Sequence, residues 1–195
     1  MYVRDAKNRD EVWLLDHIEA MDLDDVAFRS RDYVIAVDEA SNTRAGFGRI
    51  RIHKREEGDF CELTGIGVLE AWRGQGVGAH VVERLVKTAG DEGFEQVYCF
   101  TNEPNYLVRF GFDPVESESL PTPVRERLEV KREGAMPDAV ALSLSVDAFE
   151  MPAEAREAFK RAAPEADSAA SEPEERAEDF GIDPESATYK YDTGR

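Results

Sequence analysis

Short β-like runs, broken by turn residues and charged stretches, recur through the first hundred positions. Tyr33, Ile35 and Val37 alternate with Val34 and Ala36, which predicts a strand over 32–38. Similar runs follow at 45–53 and 60–68. The turn residues Ser41-Asn42-Thr43 and the charged stretch 54–59 separate them, so consecutive antiparallel hairpins are expected. A shorter run at 2–4 predicts a first strand. Between it and the hairpins, Val12, Leu15 and Ile18 recur every three residues with Leu14 beside them, predicting an amphipathic helix over 10–20. Residues 22–30 read as a second helical or irregular piece.

The period changes after position 78. Val81, Leu85 and Ala89 fall at i, i+4 and i+8, with Val82 and Val86 alongside, so 79–89 predicts a helix with one apolar face. Residues 94–101 read as a strand, and 61–101 as a βαβ unit with parallel strands. Residues 105–110 predict a short helix closed by Gly111, and 112–115 a short strand. A helix is expected over 119–132, with Ser119 as its N-cap and Pro121 in its first turn. Residues 139–146 alternate: Val140, Leu142, Leu144 and Val146 face one way, Ala141, Ser143 and Ser145 the other. The pattern is that of an α/β protein with a mixed sheet flanked by helices in one domain, 1–150. From Met151 the chain is rich in Ala, Glu, Pro and Ser, so 151–195 reads as an acidic linker and disordered tail.

Between the strand at 61–69 and the helix at 79–89 lies Arg73-Gly74-Gln75-Gly76-Val77-Gly78. Alternate glycines let backbone approach a ligand closely, and the following helix offers unpaired N–H groups and a positive dipole end. That combination suits a phosphate or pyrophosphate. The spacing is G-x-G-x-G, one residue short of the dinucleotide fingerprint, and no Gly-Lys-Ser/Thr follows as a Walker A loop requires. A glycine-rich turn without a ligand is the alternative reading, but strand, loop and helix together favour the anion site.

Charge narrows the partners. The 195 residues carry a formal net charge of −18. A chain this acidic lacks the basic footprint of nucleic-acid binding. Twelve acidic and six basic residues fall in 152–195, so −12 remains on the folded part. That distribution reads as an acidic surface of the salt-adapted, halophilic kind. No apolar run is long enough for a membrane span, and the N-terminus lacks signal-peptide character. Cys61 and Cys99 sit in apolar runs and read as buried thiols of a cytoplasmic protein. His17, His53 and His80 lack ligand spacing, so no metal is expected.

The signature Arg-x-x-Gly-x-Gly, met by Arg73, Gly76 and Gly78, resembles the acetyl-CoA pyrophosphate loop of the GNAT family of N-acetyltransferases. The element order resembles the same family over roughly 2–149. Residues 61–68, Ser119-Leu120-Pro121 with Arg125 and Arg127, and the opening Arg4-Asp5-Ala6 are similar to N-acetylglutamate-synthase-type domains. The resemblance implies a GNAT fold, acetyl-CoA as cosubstrate, and direct acetyl transfer to a primary amine, with a small amino-acid-like acceptor preferred. It implies CoA contacts from Arg73, Gly74, Gln75, Gly76, Val77, Gly78 and Ala79. Backbone groups of Ile66 and Val68 would meet the pantetheine arm and the thioester carbonyl. A protein N-terminal or lysine acceptor, and a non-catalytic acyl-CoA-binding module, remain open. A homodimer and a protein partner for the tail are likewise left open.

Acetyl transfer requires a deprotonated amine, a donor to the developing oxyanion, and a way to discharge the thiolate. Deprotonating an alkylammonium of pKa about 9.5 at neutral pH costs about 3 kcal/mol. Glu62, on the strand feeding the loop, matches the place of a catalytic Glu in the resembled family; a salt-bridged carboxylate on a sheet face is the alternative. The family's general-acid Tyr position is occupied by Leu107, with Tyr106 one residue earlier. One residue turns a helical side chain by about 100°, so Tyr106 reads either as the acid or as a pocket wall. Asn102 and Asn105 are candidate CoA contacts or ordinary turn and N-cap residues. Arg125, Arg127, Lys131 and Arg132 form a basic cluster: a carboxylate site, or, slightly favoured, a solvated helix face. The residues 180–191 add two Tyr, a Phe and an Ile to the tail that could dock elsewhere.

Overall fold

A computed structural model describes residues 1–164 other than 25 and 135; the aromatic segment at 180–191 lies outside the described residues. Seven strands form one sheet in the order β1-β2-β3-β4-β5-β7-β6. They are β1 Tyr2–Asp5, β2 Tyr33–Val37, β3 Arg44–His53, β4 Phe60–Val68, β5 Gln96–Thr101, β6 Asp113–Val115 and β7 Val140–Ser145. The helices are α1 Glu11–Ala20, α2 Val77–Asp91, α3 Pro104–Val108, α4 Thr122–Glu133 and α5 Ala153–Arg161. The three expected hairpin strands are present, and β4 pairs with β5 in parallel across α2 as the βαβ reading required.

Each strand covers both faces of the sheet, because alternate residues point to opposite sides. Val34, Ala36, Leu63, Val97, Cys99, Leu142 and Leu144 meet Val81, Leu85 and Ala89 of α2. On the other face, Tyr33, Ile35 and Phe47 pack against Leu14 and Ile18 of α1. Beyond them, Phe60, Tyr98, Phe100 and Ala141 meet Val124 and Leu128 of α4.

Two expectations are corrected. Ser119 does not cap α4: it ends a 3-10 turn at Ser117–Ser119, and Pro121 occupies the N-cap position. Proline needs no N–H there, and its fixed φ suits the entry. The chain from Met151, read as linker and tail, first forms α5, whose Ala155 and Phe159 are buried against α2. The sparse apolar content hid this helix, because only two side chains do the packing. Residues 22–24 and 26–29 are irregular, with left-handed backbone at Asp22 and Ala27, and Ser30 opens a 3-10 turn, Ser30–Asp32.

Candidate active site

The sheet opens where β4 and β5 stop pairing. Their parallel register runs only from Cys61 opposite Val97 to Leu63 opposite Cys99. β4 then continues five residues to Val68 and β5 two residues to Thr101. The cause lies in β4: Phe47 faces Gly67 but Arg49 faces Thr64, so Gly65 and Ile66 bulge opposite Gly48. Gly65 carries the positive φ of 58° that the bulge requires. The parting strands bound a cleft of about 900 Å³ lined by Thr64, Ile66, Val68, Gly78, Asn102 and Tyr106, among others.

At one end of the cleft stands the N-terminus of α2. Trp72 is fully buried and anchors the loop before it. Gly74 and Gly76 have left-handed φ values of 71° and 75°, which turn the chain from β4 into α2. Among the described residues, the backbone N–H groups of Gly74, Gln75, Gly76, Val77, Gly78 and Ala79 donate to no partner; the first helical bond runs from His80 N–H to Gly76 O at 3.2 Å. Six neighbouring donors at a helix start form an anion cradle. A Cβ at Gly78 would lie 2.5 Å from the Tyr106 hydroxyl and 3.3 Å from Val68 Cγ2. A side chain there would therefore close the gap between the cradle and the cleft. Arg73 is exposed, and its Nε donates to Val68 O at 3.3 Å. The cradle and its glycines fit the pyrophosphate of CoA.

Tyr106 and Leu107 both line the cleft; Leu107 also packs into the core, whereas Tyr106 stays partly exposed. The Tyr106 ring packs edge-on against Phe110, with centroids 5.2 Å apart. Burial pushes its hydroxyl pKa above the ordinary value of 10, so it carries its proton at neutral pH. Asn102 is on the cleft wall; Asn105 is exposed in the first turn of α3 and does not line the cleft, and Glu103 holds the N-cap.

At the other end of the cleft is a buried ionic network. Glu62 is 1% exposed. Its Oε2 accepts from His53 Nε2 at 2.7 Å and from Arg127 Nε at 2.9 Å. An ionised carboxylate only accepts, so Nε2 of His53 bears the hydrogen. Lys131 Nζ lies 3.4 Å from Glu62 Oε1 and donates to Asp24 Oδ2 at 3.1 Å. Arg127 Nη2 donates to Asp24 at 2.7 Å. Burial alone would raise the Glu62 pKa; the His53 and Arg127 hydrogen bonds and the Lys131 charge overcome it and hold it at about 2. Asp24 is likewise held well below the usual carboxylate range by Arg127 and Lys131, against the opposing effect of burial.

These contacts change two expectations. Three of the four basic side chains of α4 are not a solvated face: Arg127 and Lys131 are buried against Glu62 and Asp24, and Arg132 donates to Ala139 O at 2.9 Å. Glu62 does not line the cleft. It stands behind Arg127 and Lys131, and a carboxylate so stabilised takes up protons poorly. A sheet-face salt bridge was the competing reading, and the contacts take that form. Asp24, His53, Thr64, Arg49 and Arg51 join the site without having been expected there. Arg49, Arg51 and His53 alternate along β3, on the side of Glu62 and Thr64 on β4. Arg51 is paired opposite Glu62 and Arg49 opposite Thr64. Arg49 is 1% exposed and donates to the carbonyls of Asp24 and Val26 at 3.1 and 3.0 Å.

Cys99 lines the cleft, but burial pushes its thiol up to about 12, and Cys61 likewise. Neither is a thiolate at neutral pH.

A mixed sheet that parts beside a helix start with six unpaired amides, with Tyr106 between the two, has the geometry to seat an anionic group next to a cleft. The sequence pattern of the acetyltransferase (GNAT) family matches residues 2–112, and the chain belongs to that family. It is 29% identical over 62 residues to an uncharacterized N-acetyltransferase of Chlorobaculum tepidum, a match spanning 32% of this chain and 40% of that protein. A Mycobacterium tuberculosis protein solved in complex with CoA superposes with a TM-score of 0.61 at 18% identity, over 74% of this chain and 99% of that one. N-acetylglutamate synthase from Neisseria gonorrhoeae, complexed with CoA and N-acetyl-glutamate, superposes with a TM-score of 0.58 at 15% identity, over 74% of this chain and 34% of that one. At these identities the superpositions establish the shared fold.

Proposed function

We propose that this chain is an acetyl-CoA-dependent N-acetyltransferase that moves the acetyl group directly to the primary amine of a small acceptor bearing a carboxylate. The observation that carries this reading is the row of unpartnered amides from Gly74 to Ala79, opening beside Val68 and Tyr106 into the parted sheet. In this reading those amides hold the pyrophosphate, with Arg73 adding a charge. Ile66 and Val68 offer backbone groups to the pantetheine arm, and Val68 N–H to the thioester oxygen as it gains charge. Asn102 borders the same arm and Asn105 the outer part of the cosubstrate. The amine nitrogen bonds to the acyl carbon, the carbon–sulfur bond breaks, and Tyr106 hydrogen-bonds the departing sulfur. The high pKa of both cysteines favours direct transfer over an acyl-cysteine intermediate.

The acceptor assignment rests on the far end of the cleft. The ionic network at that end sets Arg49, Arg51, Arg127 and Lys131 against Glu62 and Asp24; of these Arg127, Lys131 and Asp24 line the cleft, as does Asp22. Among the described residues, Arg127 Nη1 has no protein acceptor, and Arg127 lines the cleft. A carboxylate there would meet a charged donor. Glu62 is then a positioning residue that fixes Arg127 and Lys131, and the amine proton leaves to water. The rate should accordingly rise with pH toward the acceptor's own amine pKa, about 8 to 10, without a step near 4. A pH profile of kcat/KM that levels off near neutral pH would point instead to an enzyme base.

Tyr106→Phe is expected to lower kcat about tenfold, because water replaces the hydroxyl only in part, with the KM for acetyl-CoA unchanged. The reading as a whole is tested by incubating the protein with acetyl-CoA and a panel of amines in high salt, with mass-spectrometric detection. Acetylation of carboxylate-bearing amines ahead of peptides and simple amines is expected. Binding of CoA without turnover across the panel would mark a non-catalytic module, and preference for peptide amines would overturn the acceptor assignment.

A further inference from the structure

α5 lies outside the part of the chain that matches the family pattern, yet it touches the anion loop repeatedly. A Cβ at Gly76 would run into the Ala155 carbonyl oxygen and lie 3.2 Å from Phe159 N, so α5 backbone rests directly on the loop. The Phe159 ring stacks on His80 with centroids 3.8 Å apart and planes 10° from parallel. His80 Nδ1 donates in turn to Gly76 O at 2.9 Å; a carbonyl only accepts, so that nitrogen bears the hydrogen. Gln75 is held at both ends: its Nε2 donates to Ala71 O at 3.0 Å, and its Oε1 accepts from Ala163 N–H at 2.9 Å. Arg156 pairs with Glu83 at 3.1 Å on the next turn of α2.

These contacts fall on one side of α2. Gly76, His80 and Glu83 share a face, whereas Gly78 points about 200° away from Gly76, toward Val68 and Tyr106. No residue of α5 lines the cleft. The helix therefore braces the loop from outside and leaves the cradle open. Accepting the reading of 74–79 as the CoA pyrophosphate site, we infer that Phe159, acting through His80, is a positioning residue for cosubstrate binding. A loop with two left-handed glycines loses much freedom when it orders around a ligand. With α5 docked, that ordering precedes binding. The Arg156–Glu83 pair is half exposed and screened by salt, so the stack and the Gln75 clamp carry the effect.

The test is calorimetric titration of the full-length protein with CoA, alongside kcat at saturating acetyl-CoA. Phe159→Ala and His80→Ala are each expected to raise the Kd for CoA about tenfold with kcat unchanged. Phe159→Tyr, which keeps the ring on His80, should stay within twofold of the unmodified protein. The double variant should bind no worse than either single one. If Phe159→Ala does not fold, His80→Ala, at a half-buried position, carries the test. A Kd within twofold of the unmodified protein in folded variants, or a fall in kcat instead, overturns the role of α5 alone. Failure of the unmodified protein to bind CoA overturns the role and the site together.

Discussion

Glu62→Gln is expected to destabilise the protein by about 3–5 kcal/mol, the usual cost of removing one partner from a buried ion network. The amide cannot balance Arg127 and Lys131, and it points an N–H toward donors that need an acceptor. Both cations would stay buried with Asp24 as their remaining acidic partner. Denaturant melts should show this as a lower midpoint with an unchanged slope. The same network gives the pH dependence its sign. The folded-state pKa of Glu62 is about 2 against an ordinary 4.5. Its contribution is therefore complete above about pH 4.5 and is lost as pH falls toward 2. Asp24 and Asp10, also held low, add to the same acid slope; Asp10 is fully buried and takes hydrogen bonds from Arg4, Arg44 and the Lys7 N–H. Glu62→Gln should flatten that slope. An equally stable variant with an unchanged acid transition would remove Glu62 from its structural role and return it to candidacy as the base.

Gly76→Ala should abolish measurable CoA binding at concentrations that saturate the unmodified protein. Two costs coincide at this position. A φ of 75° strains an alanine by about 1–2 kcal/mol. Its methyl group would also drive the Ala155 carbonyl away, releasing α5. Backbone atoms cannot yield as a flexible side chain can, so the loop must leave its geometry. Calorimetric titration and thermal shift with CoA measure both consequences. Gly76→Ala with unaltered CoA affinity would show that the loop geometry is not what holds the cosubstrate.

Local chemistry explains which features could be read in the sequence. The loop at 73–78, the helix after it and the hairpins before it follow from short-range patterns that need no partner, and the structure has all three. The ionic network spans β3, β4, α4 and the irregular segment after α1, so no single stretch displays it. Two partial signs were available: Arg49, Arg51 and His53 alternate with Ile50 and Ile52, and Arg127 and Lys131 sit one helical turn apart. Both signs could mark a solvated face, and only the sheet register, which sets Arg51 opposite Glu62, separates the readings. α5 was illegible because its burial depends on a surface, the flank of the glycine loop, created by residues 75–83. Tyr106 and Leu107 both reach the cleft, Leu107 from a core position, so the one-residue offset from the family's Tyr place did not take Tyr106 away from it.

In the proposed function, the amides from Gly74 to Ala79 hold the cosubstrate. Titration of isotope-labelled protein with CoA, followed through backbone amide resonances, tests it most directly. The largest shifts are expected at 74–79, with Val68 following and α1 unaffected. Saturable CoA binding that leaves the 74–79 resonances in place would contradict the assignment, as would no binding at all.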